Sequence, residues 1–265
     1  MQATTNFTVI IPARFQSSRL PGKPLIDLQG LPMIIRVANQ AKKSNANDII
    51  VATDNEKILQ VCQQHNISAV MTAENHNSGT DRIAEVISKK NLSDDDQIIV
   101  NVQGDEPLIA PENINLVAEL LAADESAVMA TLAYKISNWD AFANPNNVKV
   151  VCDKFANAIY FSRAQIPFPR DLMRLPKNEY TNLPLNFSVY HHIGLYAYKS
   201  KFVETFTKLE PSPLEICESL EQLRAIYHGY KIKVGIVNSA PAPGIDTPED
   251  VEKVINLLNN RKDLF

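Results

Sequence analysis

Glycine, cysteine and long apolar runs are all scarce in this chain of 265 residues. It contains only eight glycines, and no apolar stretch approaches the roughly 20 residues that a membrane-spanning helix requires. The three cysteines, Cys62, Cys152 and Cys217, are odd in number and lie far apart in apolar surroundings, which argues against a disulfide framework or a zinc site. The first six residues lack the basic and apolar segments of a signal peptide. We therefore expect a soluble cytoplasmic protein whose thiols are buried and reduced.

A strong excess of charge of either sign is also absent. Charged residues make up 21% of the chain and the formal net charge is -4, so a general attraction to nucleic acid or to an anionic membrane has little support. Any phosphate that the protein binds must then be held by local contacts. Because 45% of the residues are hydrophobic, the chain can bury one large core, and we expect a single domain over residues 1–265.

Short β-branched runs alternate with stretches of helical periodicity through the first half of the chain. The predicted strands lie at residues 8–11, 49–53, 69–71 and 98–103, and the predicted helices lie at 33–43, 56–65 and 80–90. Such alternation is typical of a parallel sheet covered by helices. Three later runs are close enough for antiparallel pairing: residues 128–136, 148–151 and 159–161. The expected fold is therefore a three-layer α/β/α arrangement with a mixed, mainly parallel central sheet.

Two later segments matter for the functional argument. Residues 167–184 are rich in proline and charge, which predicts a long surface loop. Residues 214–228 have helical periodicity, which predicts one continuous helix. The apolar stripe of that helix would consist of Ile216, Leu220, Leu223 and Tyr227.

The first of four polar clusters follows the first predicted strand, at residues 12–25. Arg14, Arg19 and Lys23 lie in a loop that prolines stiffen and that Gly22 allows to approach a ligand closely, which suits a triphosphate. A solvated basic turn would explain the same residues. A Walker A loop is excluded, because its first glycine and its hydroxyl residue are both missing from this stretch.

The second cluster, residues 76–82, directly precedes a predicted helix. Ser78 or Thr80 could serve only as the N-cap of that helix, which is a common use of such residues. The alternative is that this loop binds a ligand, because loops of this composition tend to carry function. Both interpretations stay open on the residues alone.

The third and fourth clusters contain carboxylates. Asp105 and Glu106 come just after the most apolar predicted strand. A carboxylate at this point could hold Mg²⁺ or could simply belong to an acidic turn. Asp246 and Thr247 open the last predicted helix, where they could act simply as caps. Because ligands of open α/β sheets bind beyond the carboxyl ends of the strands, clusters that follow strands should converge on one site.

Together these clusters resemble the signature of the nucleotidylyltransferases that activate acid sugars with CTP, and within them the Kdo cytidylyltransferases. The resemblance extends from residue 8 to residue 257. The run from Gln103 to Pro107 matches the family pattern without substitution, whereas Phe15 and Gln16 depart from it. The resemblance implies a nucleotide-diphospho-sugar transferase-like fold and the transfer of CMP from CTP to the anomeric hydroxyl of Kdo, with release of pyrophosphate, for lipopolysaccharide biosynthesis. It also implies Mg²⁺ as the cofactor and a homodimer as the assembly.

The resemblance also implies three sets of site residues. The CTP-binding set consists of Ala13, Arg14, Arg19, Lys23, Ser78, Arg82 and Gln103. The metal-binding set consists of Asp105 and Asp246, and the catalytic residues are Lys23, Arg14 and Asp105. The sugar-binding set consists of Arg163, His192, Tyr196, Glu221 and Gln222. Arg163 could form a bidentate pair with the sugar carboxylate, whereas Glu221 and Gln222 could equally belong to the exposed face of the predicted helix.

Three other functions remain compatible with the sequence. The enzyme could activate another acid sugar, such as sialic acid, because the phosphate loop does not distinguish the sugars. It could be a metal-dependent glycosyltransferase that consumes a nucleotide sugar, with a similar sheet and acidic metal site. It could also be a non-catalytic module that senses CTP, although two separate carboxylate motifs exceed what binding alone requires.

Overall fold

Nine strands form one sheet within the residues that the structure describes, a computed structural model covering residues 5–16, 20–94, 97–174 and 188–260. The strands are β1 (Phe7–Ala13), β2 (Asp48–Thr53), β3 (Ser68–Met71), β4 (Ile98–Asn101), β5 (Met129–Lys135), β6 (Lys149–Cys152), β7 (Ala158–Ser162), β8 (Tyr190–Lys199) and β9 (Ile232–Val237). The main path runs β3-β2-β1-β4-β8-β5-β9, and β6 joins β8 to β7. Pairings among the first four strands and between β5 and β9 are parallel, whereas β8 is antiparallel to β4 and β5. The predicted mixed, mainly parallel sheet is confirmed.

Helices cover both faces of this sheet. They are α1 (Met33–Ala41), α2 (Glu56–Gln64), α3 (Gly79–Lys90), α4 (Pro111–Ala122), α5 (Trp139–Ala143), α6 (Ser200–Phe206), α7 (Pro213–Glu218), α8 (Leu223–Tyr227) and α9 (Pro248–Asn260). Buried residues of α1, α2 and α4 share one core cluster, and those of α3, α6 and α8 share a second. The three-layer prediction is therefore confirmed.

The central strands are apolar along their whole length because both of their faces are covered. In β1, Val9 and Ile11 belong to one core cluster and Ile10 belongs to the other, and all three are inaccessible to solvent. This arrangement explains why the strands appear as continuous apolar runs rather than as alternating patterns. Since β1 and β4 are parallel neighbours, the loops that follow them emerge at the same edge of the sheet.

The prediction of one helix over residues 214–228 is wrong. Helix α7 ends at Ser219, which adopts a left-handed conformation with φ 53°, and α8 begins four residues later. Leu220 and Leu223 are buried, but Ile216 is 69% exposed and Tyr227 is 55% exposed. Periodicity assumes an unbroken helix, and the turn at Ser219 rotates the two halves away from a common stripe.

The same break changes the interpretation of Glu221 and Gln222. Both residues lie in the turn between α7 and α8 instead of on a helix surface. Gln222 is only 5% exposed, and burial raises the pKa of Glu221. The alternative that they form the solvated face of a helix is therefore also wrong.

The remaining expectations have mixed outcomes. Cys62 is buried, but Cys152 is half-buried and Cys217 is exposed, so the expectation of three buried thiols is wrong for Cys217. All three cysteines are free. The predicted loop at 167–184 is described only as far as residue 174, where a short 3-10 turn is present, and its remainder lies outside the described residues. In the described part of the chain, no helix has the length and apolar character needed to cross a membrane.

Because the helix is broken, truncation of two apolar side chains in this segment should lower the free energy of unfolding by different amounts. Leu220→Ala should lower the free energy of unfolding by about 2 to 4 kcal/mol, because it leaves a cavity in the core. Ile216→Ala should change it by less than about 0.5 kcal/mol, because that side chain is exposed. Urea unfolding of both variants measures the two values, and similar costs would indicate that one continuous helix buries both residues.

Candidate active site

A cavity of about 350 Å³ opens at the carboxyl edge of the sheet, beyond the ends of β1 and β4. It is lined by residues from all four polar clusters of the sequence. The predicted site residues among them are Ala13, Arg14, Lys23, Ser78, Arg82, Gln103, Asp105 and Asp246. Arg19 lies outside the described residues. The structure therefore brings together every described residue of the predicted CTP and metal sets, while their individual roles stay predictions.

An ammonium group lies between the two carboxylates of the predicted metal set. Lys23 Nζ donates hydrogen bonds to Asp105 Oδ2 at 2.7 Å and to Asp246 Oδ1 at 2.9 Å. The Lys23 side chain is only 11% exposed, so these ion pairs are partly shielded from water. Lys23 starts a 3-10 turn directly after Gly22, whose φ of 70° favours glycine. Two carboxylates from distant parts of the chain thus lie within reach of one cation.

The backbone fixes these carboxylates beside each other. Ile245 N donates to Asp105 O at 2.9 Å, and the Ile245 side chain is fully buried in its own apolar cluster. A Cβ atom at Gly104 would lie 2.6 Å from Pro12 O, so only glycine permits this approach of the Asp105 loop to the end of β1. The positions of Asp105 and Asp246 therefore follow from backbone packing as well as from the Lys23 contact.

Other residues supply the cap of α9, the role that could have explained Asp246. Asp250 Oδ2 accepts hydrogen bonds from Thr247 N and Thr247 Oγ1, and Thr247 Oγ1 accepts a weak one from Asp250 N at 3.4 Å. The Asp246 backbone N–H joins this cap by donating to Asp250, but the Asp246 carboxylate contacts Lys23. Helix capping therefore does not account for the Asp246 carboxylate.

Only one of the two adjacent acids after β4 faces the cavity. Asp105 lines the cavity, whereas burial of the neighbouring Glu106, together with the charge of Asp105, raises the pKa of Glu106 to about 7. A carboxyl group with that pKa is protonated in a large fraction of molecules at neutral pH, which makes it a weaker cation ligand. Asp105 is the better candidate ligand of the pair.

Ser78 combines the two interpretations that the sequence left open. It is the N-cap of α3, where its hydroxyl accepts from Asp81 N and the Asp81 carboxylate accepts from Ser78 N. It also lines the cavity. The capping interpretation is confirmed, and it places the start of α3 at the cavity wall.

Arg82 is held rigidly at the same wall. Its side chain is buried, and its guanidinium donates to Asp54 Oδ2 at 2.8 Å and to the hydroxyl of Thr72. Asp54 Oδ1 also accepts from Phe15 N, so one carboxylate connects Arg82 to the loop after β1. Sequence reasoning missed Asp54, although a polar residue at the carboxyl end of β2 is the signal it used for the other clusters.

His192 and Tyr196 of the sugar set lie against each other, with ring centroids 5.3 Å apart. Residues four apart in a regular strand are separated by about 13 Å, so this contact requires an irregular strand. The pairing of β8 with β5 shifts between Thr131 and Leu132, which leaves two residues of β8 bulged. Thr131 Oγ1 lies within hydrogen-bond distance of His192 Nε2 and Leu195 O and stabilises the bulge.

Glu221 connects the sugar set to the CTP set. Its Oε2 accepts a hydrogen bond from Thr80 Oγ1 at 2.7 Å, at the start of α3. Burial raises the pKa of Glu221, while hydrogen bonds from Thr80 and Ser78 act in the opposite direction. The adjacent Gln222 has a buried Nε2 atom that has no hydrogen-bond partner among the described residues. A buried unpaired donor beside a bonded carboxylate is suited to a polar ligand.

Arg163 lies beyond the end of β7, and its hydrogen bonds go to Glu218 and Pro145 rather than to the other four sugar-set residues. Phe161, two positions earlier, packs edge-on against His192 with ring centroids 4.9 Å apart. The structure therefore groups His192, Tyr196 and Glu221 and places Arg163 beside this group through Phe161 and Glu218.

The mixed α/β sheet with a cavity at its carboxyl edge, where open α/β folds bind ligands, is a nucleotidyltransferase-like arrangement. The sequence profile of the cytidylyltransferase family matches residues 8–232. This chain belongs to the cytidylyltransferase family, within which its relatives are 3-deoxy-manno-octulosonate cytidylyltransferases.

The relatives match this chain over most of its length. The enzyme of Neisseria meningitidis is 52% identical over 250 residues, which cover 94% of this chain and 97% of the relative. The enzyme of Polynucleobacter necessarius is 48% identical over 253 residues, which cover 96% of each chain. A solved CMP:2-keto-3-deoxy-manno-octonic acid synthetase complexed with CTP has 38% identity and a TM-score of 0.87, covering 97% of this chain and 99% of the other.

The two adjacent histidines predict a loss of stability in acid. Burial lowers the pKa of His191 to about 4 and that of His192 to about 3, so both are neutral in the folded protein at pH 5. The unfolded chain takes up protons below about pH 6.5, so the stabilisation is complete above that pH and is lost as the pH falls towards the folded pKa. In His192→Gln the difference in unfolding free energy between pH 7.5 and pH 5 should shrink by about 2 kcal/mol.

Denaturant unfolding at the two pH values measures this difference. The matched control is His65→Gln, at an exposed histidine that ends α2, which should keep the wild-type difference. An undiminished difference in His192→Gln would show that His192 is protonated in the folded protein at pH 5.

Proposed function

We propose that this chain transfers CMP from CTP to the anomeric hydroxyl of Kdo, with release of pyrophosphate, and thereby supplies CMP-Kdo for lipopolysaccharide biosynthesis. The observation that carries the proposal is the pairing of Lys23 with Asp105 and Asp246, inside a cavity lined by every described residue of the predicted CTP set. The relatives named 3-deoxy-manno-octulosonate cytidylyltransferase support the choice of sugar. We place the whole activity in one domain, and the expected homodimer stays a prediction.

The residues present fit a magnesium ion. Mg²⁺ prefers oxygen ligands and is usually bound by one or two carboxylates together with substrate phosphates and water. Asp105 and Asp246 provide two such carboxylates, and the described residues contain no cluster of three or more histidine, cysteine, aspartate or glutamate side chains that could hold a metal by themselves. This donor set suits a site that CTP completes. When bound there, Mg²⁺ would neutralise charge that develops on the phosphate oxygens.

In this proposal the basic residues bind the triphosphate. Lys23 now neutralises two carboxylates, and it would turn to the leaving phosphates when another cation takes its place between Asp105 and Asp246. Arg14 lines the same cavity and would bind the phosphates with it. Phosphoryl transfer needs little covalent chemistry from the protein, so positioning and charge neutralisation by these residues would supply most of the rate enhancement.

The two substrates would occupy adjoining parts of the site. Ser78, Arg82 and Gln103, which line the same cavity, would face the nucleoside. His192, Tyr196, Glu221 and Gln222 would hold the sugar hydroxyls, and Arg163 would bind the sugar carboxylate as a bidentate partner. In-line attack by the anomeric hydroxyl on the α-phosphorus forms the new P–O bond, breaks the bond to pyrophosphate and releases the hydroxyl proton to solvent or to the departing pyrophosphate. The step requires that the two parts hold their ligands in register.

A pyrophosphate-release assay tests the proposal directly. CTP, UTP, ATP and GTP are each combined with Kdo or sialic acid, with and without Mg²⁺. The fastest release should occur with CTP, Kdo and Mg²⁺, because the predicted CTP set lines the cavity and the relatives are named for Kdo. Faster pyrophosphate release with sialic acid than with Kdo would show that sialic acid is the preferred sugar. Binding of CTP without pyrophosphate release for any acid sugar would favour a sensing module.

The metal assignment predicts the behaviour of two neutral variants. Asp105→Asn and Asp246→Asn should each lower kcat by about 100-fold or more and raise the Mg²⁺ concentration needed for half-maximal rate, because each removes one of two carboxylates. The control is Asp48→Asn, at the opposite edge of the sheet at the start of β2, which should keep the wild-type rate. Near-normal turnover in either site variant would overturn the assignment.

A further inference from the structure

Lys149 is a buried cation that the proposed mechanism does not use. It begins β6, and its side chain is 0% exposed. Its ammonium donates to two backbone carbonyl oxygens, Asn144 O at 2.9 Å and Arg163 O at 2.7 Å. Among the described residues it has no carboxylate within salt-bridge distance. A buried lysine without a paired acid costs stability, so its presence calls for a functional explanation.

The residue that Lys149 contacts is Arg163, which is held from a second side by Glu218. Arg163 N donates to Glu218 Oε2 at 2.9 Å, and Arg163 Nε donates to Glu218 O at 2.8 Å. Ser162 Oγ donates to Glu218 Oε1 at 2.6 Å and so orients that carboxylate. Lys149 and Glu218 therefore grip the Arg163 backbone at both its carbonyl and its N–H group. The outer end of the Arg163 guanidinium can still bind a ligand, because its Nη2 atom makes no hydrogen bond within the described residues.

The cluster of Lys149, Arg163 and Glu218 carries one positive charge in excess. Lys149 and Arg163 are cationic, and Glu218 is the acid that contacts Arg163. His191, opposite Lys149 across β6 and β8, adds no charge at neutral pH, because burial and the nearby Lys149 lower its pKa to about 4. A carboxylate bound at Arg163 would bring the cluster to neutrality in partly buried surroundings, where charge pairing is stronger than in water.

We propose that Lys149 is a positioning residue which, together with Glu218, builds a subsite at Arg163 for the carboxylate of the acid sugar. Lys149 acts through Arg163 and contributes both the alignment of its backbone and the unbalanced charge. This inference rests on the proposed function, which assigns Arg163 to the sugar.

Steady-state pyrophosphate release by Lys149→Met tests the inference. The KM for Kdo should rise about tenfold or more, because misplacement of a binding group weakens a bound geometry strongly. The KM for CTP should stay within about twofold of the wild-type value, since uniform damage to the fold would raise both. The control is Lys233→Met, because Lys233 also donates to a backbone carbonyl, Phe155 O at 2.8 Å, and pairs with Asp124 instead of contacting Arg163. It should leave both KM values unchanged.

A second variant separates charge from hydrogen bonding and covers the case in which Lys149→Met does not fold. Lys149→Gln is neutral but keeps N–H donors for the two carbonyl groups, so it should raise the KM for Kdo less than the methionine variant does. An unchanged KM for Kdo in a folded variant, beside normal wild-type turnover, overturns the inference alone. Absence of wild-type turnover with CTP and Kdo overturns the proposed function, and the inference with it.

Discussion

The ion pairs that Lys23 forms with Asp105 and Asp246 are the interaction on which the rest of the site depends. Two carboxylates close enough to share one ammonium group repel each other unless a cation lies between them. The repulsion is stronger where water is partly excluded. The protein meets this constraint with its own ammonium group when no other cation is present. The loop after β1, the loop after β4 and the start of α9 are thereby held together.

Much of this arrangement could be predicted from the sequence, because it follows from local rules. The strands next to the site are buried on both faces, so they appear as continuous apolar runs, and the polar residues just after them must emerge at one edge of the sheet. Parallel pairing of β1 with β4 then brings the Lys23 loop towards Asp105. Asp246 follows no strand directly, and its place depends on the contact of Ile245 with the Asp105 backbone, which only the structure reveals.

The arrangement of the predicted sugar set was less predictable from the sequence. It depends on irregular turns and bulges, which the periodic pattern of apolar residues does not reveal. The turn at Ser219 interrupts a helical pattern and buries Gln222. The bulge in β8 brings His192 onto Tyr196, although their spacing in a regular strand would separate them. Lys149 appeared in the sequence only as a charged residue at the start of a strand, and its burial results from three strands and a turn that meet around it.

The predicted CTP part and the predicted sugar part of the site are joined at the start of α3. Ser78 caps this helix and lines the CTP cavity, while Thr80, two residues later, donates to Glu221 on the sugar side. A ligand that shifts the first turn of α3 would therefore also shift Glu221, since a partly buried hydrogen bond of 2.7 Å joins Thr80 to it. Under the proposed function, binding at one side would then change the free energy of binding at the other, and thermodynamic linkage would make the effect equal in both directions. The first turn of α3 therefore lines the cavity of the predicted CTP set and contacts the predicted sugar set.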